Sequence, residues 1–133
     1  MRTWCQGLLA LLLLAAFLGS CATIPEQRPD NESLRIVAEN YWRLRMADDY
    51  ERTYVLEGRE DLPPFKDYLD KVRAMKKFTI VSYSIGKVSV DGTAGTVEVE
   101  LNIMLPAQPK PIKQIVYDRW TYKEGKWLHL LPK

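Results

Sequence analysis

The hydrophobic period of this chain changes once, after Lys77, and that change constrains the fold more than any other feature. Before it, apolar residues recur at helical spacing. Leu34, Val37, Tyr41 and Leu44 fall at i, i+3, i+7 and i+10, with Ala38 and Trp42 widening the stripe. After it, the spacing is that of strands. From Thr96 to Leu105, Val97, Val99, Leu101, Ile103 and Leu105 face one way, and Thr96, Glu98, Glu100 and Asn102 the other. Helices first and strands second make an α+β chain, with N-terminal helices packed on a curved antiparallel sheet of about four strands.

Local signals set the expected boundaries. Asp30 or Asn31 caps a helix over 32–46. Asp48 and Glu51 are spaced as a capping box for a short helix reaching about Glu57, and Gly58 stops it. Pro63-Pro64 opens a third helix whose apolar face is Phe65, Tyr68, Leu69, Val72 and Met75. Strands are expected over 78–90, 96–105, 112–122 and 127–131. Gly86 reads as a bulge or a bend, and Asp91–Ala94 and Lys123–Lys126 as turns. The loop Pro106–Pro111 is either a solvated connection or an interaction edge.

Met1-Arg2-Thr3 is a short basic start. The apolar run Leu8–Leu18 follows, and then Gly19-Ser20-Cys21. Gly7 to Gly19 is uncharged but well short of the roughly 20 apolar residues that cross a bilayer. The arrangement is that of a secretory signal. Its ending, Leu18-Gly19-Ser20-Cys21, resembles a bacterial lipobox. That resemblance implies a signal peptide over 1–20, a lipid on Cys21, a tether over 21–30, and a lipid-anchored protein of the bacterial cell envelope. Ala22 stands where inner-membrane retention signals resemble aspartate. The expected site is therefore the outer membrane, facing the periplasm, if the organism is Gram-negative. Residues 21–133 are 113 residues, one domain by length.

Composition excludes several classes. With Arg2 removed, 18 basic and 17 acidic side chains remain, a balance of +1, which argues against a nucleic-acid surface. Cys5 leaves with the signal and Cys21 carries lipid, so the domain holds no disulfide, cysteine nucleophile or thiolate ligand. With a single histidine, no histidine-based metal site is expected, and no cofactor is implied. Gly92-Thr93-Ala94-Gly95 is a hairpin turn and not a phosphate loop, because no strand-to-helix junction or lysine follows it.

Residues 31–133 resemble the NTF2-like, or cystatin-like (SnoaL-like), α+β cone. The resemblance is carried by Tyr41-Trp42, Asp48-Asp49-Tyr50, Gly92-Thr93-Ala94 with Val97 and Val99, Asp118-Arg119-Trp120 and Gly125-Lys126-Trp127. That superfamily holds ketosteroid isomerase and scytalone dehydratase, and also many domains without catalysis. The resemblance therefore implies two readings. The first is a binding or scaffolding module. The second is a small-molecule isomerase or lyase of the ketosteroid isomerase type, with a base and a hydrogen-bond donor meeting one substrate atom in a dry pocket.

For the second reading, the candidate catalytic residues are Asp118, His129 and Tyr41. Asp118 shares strand parity with Val116, Trp120 and Tyr122, and His129 with Trp127 and Leu131. The simpler reading of Asp118 is a salt bridge to Arg119 or a lysine of a neighbouring strand, or a bond to a helix terminus. The simpler reading of His129 is a satisfied half-buried or surface residue. Trp42, Tyr54, Trp120 and Trp127 are expected either to line a pocket or to fill the core. The expected partners are the membrane, through Cys21, and a second copy through the open sheet face. A small apolar ligand or an envelope protein completes the set.

Overall fold

The computed structural model describes residues 28–132. The expected signal peptide, Cys21 and most of the tether lie outside them. Three helices, α1 (Asn31–Met46), α2 (Tyr50–Val55) and α3 (Phe65–Met75), precede four strands, β1 (Thr79–Asp91), β2 (Ala94–Met104), β3 (Ile112–Lys123) and β4 (Lys126–Leu130). The strands form one antiparallel meander in the order β1-β2-β3-β4.

The start of α1 is settled by Asp30. Its carboxylate accepts from Ser33 N at 2.7 Å, and its own N–H donates to Ser33 Oγ at 3.2 Å, a reciprocal capping box. The second cap differs from expectation. Asp49, not Asp48, accepts from Arg52 N, while Asp48 sits at a positive φ of 56° and its carboxylate turns to Lys76. The helix also ends earlier, at Val55. Leu56–Gly58 leaves it and pairs with β4. Here Glu57 bridges His129 in parallel register, with Gly58 N to His129 O and His129 N to Leu56 O both at 2.7 Å. Backbone pairing at the free edge of β4 takes the place of another helical turn.

Helix α1 lies across the inward face of β1 and β2. Leu34, Ala38, Tyr41 and Trp42 are buried against Val88, Val97, Val99, Leu101, Ile103, Trp120 and Trp127. The helix approaches closely at Gly95, where a Cβ would stand 2.4 Å from Leu34 Cδ2 and 3.1 Å from the Trp127 ring. The expected bulge is present. The β1–β2 register shifts between Ile85 and Val88, and Arg35 donates to the freed Gly86 and Ile85 carbonyls at 2.9 and 3.3 Å. In the β3–β4 turn Glu124 and Gly125 both have positive φ, 52° and 79°, the geometry that matches the twist of a two-residue hairpin. Helix α3 packs more loosely, as Tyr68 and Val72 form a smaller cluster with Leu131.

Candidate functional site

The inward faces of β3 and β4 bring Asp118 and His129 together. Both are buried, with His129 only 3% exposed. Neither takes its simpler reading. Asp118 has no bond to Arg119, a strand lysine or a helix terminus. Its Oδ2 accepts the Trp42 indole N–H at 2.6 Å, and its Oδ1 faces His129 Nε2 at 3.7 Å, an ionic contact too long for a hydrogen bond. The third member is Glu57, which the sequence reading left at the end of a helix. Its Oε2 lies 2.9 Å from His129 Nδ1, and its Oε1 accepts the Tyr41 hydroxyl at 2.8 Å. Tyr41 stacks on the imidazole at 4.3 Å and the Trp120 ring meets its edge at 5.1 Å.

The electrostatics follow from this enclosure. Burial alone would push His129 down. The Asp118 and Glu57 carboxylates on either side overcome it and raise the imidazole to about 9. The ring is therefore an imidazolium at neutral pH. Tyr41 is held well above the usual phenol range, first by burial and then by the Glu57 charge, so it keeps its proton and donates it to Glu57. A histidine fixed as a cation cannot accept a proton, and the Tyr41 donor is already committed. Among the described residues, no group of three or more His, Cys, Asp or Glu side chains is arranged to hold a metal ion.

A separate pocket opens at the other side of Trp42. It measures about 250 Å³ and is bounded by Trp42 and Arg45 of α1, Asp48 and Tyr50, Val72 and Lys76 at α3, Phe78 and Ile80 at β1, and Leu101. Asp118, His129 and Tyr41 are not on its wall. Of the four aromatic residues expected to line a pocket, Trp42 lines this one and Tyr54, Trp120 and Trp127 do not. Trp120 on β3 and Trp127 on β4 are sealed in the core beneath α1. Tyr54 packs on Phe65 and Tyr68, and its hydroxyl donates to the Pro63 carbonyl at 2.9 Å.

Charge in the pocket is uneven. Asp48 and Lys76 pair at 2.5 and 2.7 Å, which lowers the carboxyl and raises the amine. The Tyr50 hydroxyl donates to the same carboxylate at 2.8 Å. The Arg45 guanidinium lies over the Tyr50 ring, 5.6 Å from its centroid, and its Nη1 is buried without a hydrogen-bond partner.

Glu57, Arg45 and Lys76 were not singled out from sequence. Trp42 and Arg45 stand three apart, next to the Asp48 turn. That spacing was the available signal for Arg45. Glu57 had none, because its partner is 72 residues away and reached by edge pairing.

No family model matches this chain, and no curated protein matches it. Two solved structures are similar in fold. One, a crystal structure of a Campylobacter jejuni protein named as an NTF2-like transpeptidase, shares 15% identity. It covers 72% of this chain and 95% of the other, with a TM-score of 0.50. The other is a de novo designed NTF2 fold protein at 23% identity, covering 74% and 81%, with a TM-score of 0.47. The helices, the curved four-stranded meander and the first of these likenesses give the chain an NTF2-like α+β cone fold.

Proposed function

We propose that this chain is a binding module that takes a small apolar molecule in the pocket beside Trp42 and is held at the bacterial envelope membrane by lipid on Cys21. The observation that carries the binding reading is a division of labour inside the cone. Asp118, His129 and Tyr41 are buried away from the pocket, with His129 and Tyr41 both bonded to Glu57, while Asp48 and Lys76 on the pocket wall are tied up in their own ion pair. The open cavity is lined mainly by Trp42, Phe78, Ile80, Val72 and Leu101. Ligand sites have this make-up, an apolar wall with few polar groups, and 250 Å³ lies near the small end of their range of about 300–1,000 Å³. An isomerase or lyase of the kind the fold resemblance implied would need its base and donor on that wall. The support for anchoring is the sequence Leu18-Gly19-Ser20-Cys21 behind its apolar run.

The binding test uses a neutral apolar fluorophore, 1-aminoanthracene. Saturable one-site binding that disappears in Ile80→Trp, which fills the pocket, is expected. Unchanged binding in a folded Ile80→Trp protein would show that the pocket is not the site. Anchoring is tested by detergent phase partition. The wild-type protein should enter the detergent phase and Cys21→Ser the aqueous phase, and equal partition of the two would refute it.

A further inference from the structure

The pocket wall carries two cations, Arg45 and Lys76, and one carboxylate, Asp48, so one positive charge is in excess. Asp48 and Lys76 neutralise each other on its rim, and among the described residues Arg45 enters no ion pair. Arg45 forms part of the pocket wall beside the Tyr50 ring, and an excess positive charge in a largely apolar space favours a bound anion. Tyr50 beneath the guanidinium supplies a π-face but no acceptor in its plane. A planar guanidinium fork fits a carboxylate, which can accept two parallel N–H bonds. The rest of the wall is apolar. A groove of about 380 Å³ adjoins the pocket, sharing Lys76 and Phe78 with it and continuing past Met104, Leu105 and Pro106.

From this we infer that the ligand is a monocarboxylate with an unbranched apolar tail. The carboxylate seats on Arg45, and the tail lies along Trp42, Phe78 and Leu101 toward the groove under Pro106. The inference rests on the pocket being the binding site. One negative charge balances the single unmatched cation. A dianion would leave a charge uncompensated in a largely apolar space, and a neutral ligand would leave the excess positive charge of the wall unbalanced.

The test compares decanoate with decanol by calorimetry on the full chain carrying Cys21→Ser. Decanoate should bind about tenfold or more tightly than decanol, the worth of one ionic hydrogen bond. Arg45→Met should abolish that preference while leaving decanol binding in place. Lys77→Met, at the rim of the adjoining groove, should keep it. Equal affinity for acid and alcohol in the wild-type protein would overturn the carboxylate assignment and leave the pocket reading standing. A preference lost in Lys77→Met but kept in Arg45→Met would do the same. No binding of either compound would overturn both. A second readout covers the case in which Arg45→Met does not fold. Carbon-13-labelled decanoate bound to the wild-type protein should titrate below its free carboxyl value, and an unshifted titration would overturn the assignment.

Discussion

Raising the pH from 6.5 to 9 should remove a defined part of the stability of this fold. His129 is the only histidine, so the effect has one source in that window. Its unfolded value is near 6.5 and its folded value is raised to about 9. A raised folded value stabilises below the unfolded value and is lost as pH climbs through the folded one. The stabilisation is therefore complete below about pH 6.5 and declines toward pH 9. The difference of about 2.5 units, at 1.36 kcal/mol each, is on the order of 3 kcal/mol. Exposure of only 3% leaves little solvent to screen it. Tyr41 and Tyr68, both shifted upward, titrate above this range. The assay is urea denaturation followed by tryptophan fluorescence at half-unit steps of pH. His129→Gln should flatten the profile. A wild-type midpoint that stays constant from pH 6.5 to 9, or a variant that falls in parallel with it, would refute the reasoning.

Other substitutions probe the same construction. Glu57→Leu strips His129 of its 2.9 Å partner and should cost about 3–5 kcal/mol in urea unfolding, as breaking a buried pair does. Trp42→Phe removes the indole donor 2.6 Å from Asp118 and should cost about 1–3 kcal/mol by the same assay. In Gly58→Ala the new methyl would stand 2.5 Å from Leu128 Cβ. Because Gly58 is tied to β4 by its backbone, a loss of about 1–3 kcal/mol is expected in thermal unfolding. Leu101→Ala should cost near the lower end of about 2–5 kcal/mol, since its space joins an existing pocket, and it should admit bulkier ligands in a binding titration.

Much of the frame was legible in local pattern. The Asp30 cap, the alternation of β2, the bulge at Gly86 and the turn at Glu124-Gly125 are each decided by neighbours within a few residues, which is the range a sequence pattern reports. Strand parity grouped Asp118 with Trp120 and His129 with Trp127, but which sheet face turns inward is decided by where α1 packs. What each inward side chain meets depends on chain brought from far away. Glu57 reaches His129 because Leu56–Gly58 abandons the helix for the edge of β4. Helical spacing carries no trace of that choice, since the competing backbone bonds come from another strand. The tryptophans show the same limit. Trp42, Trp120 and Trp127 are all buried, yet of these three only Trp42 borders the pocket between α1, α3 and β1, whereas Trp127 is covered by the close approach of α1 at Gly95. Nothing in the helical pattern marks the surroundings of Arg45, because they are made by Tyr50 and the Asp48 turn.

The account turns on the separation of the pocket from the buried Glu57–His129–Asp118 network. The most direct measurement is a set of intermolecular nuclear Overhauser contacts from bound decanoate. The account predicts contacts from the ligand methylenes to Trp42, Ile80 and Leu101, with none to the His129 ring. Contacts to His129, with none to Ile80, would place the ligand within the network and contradict it.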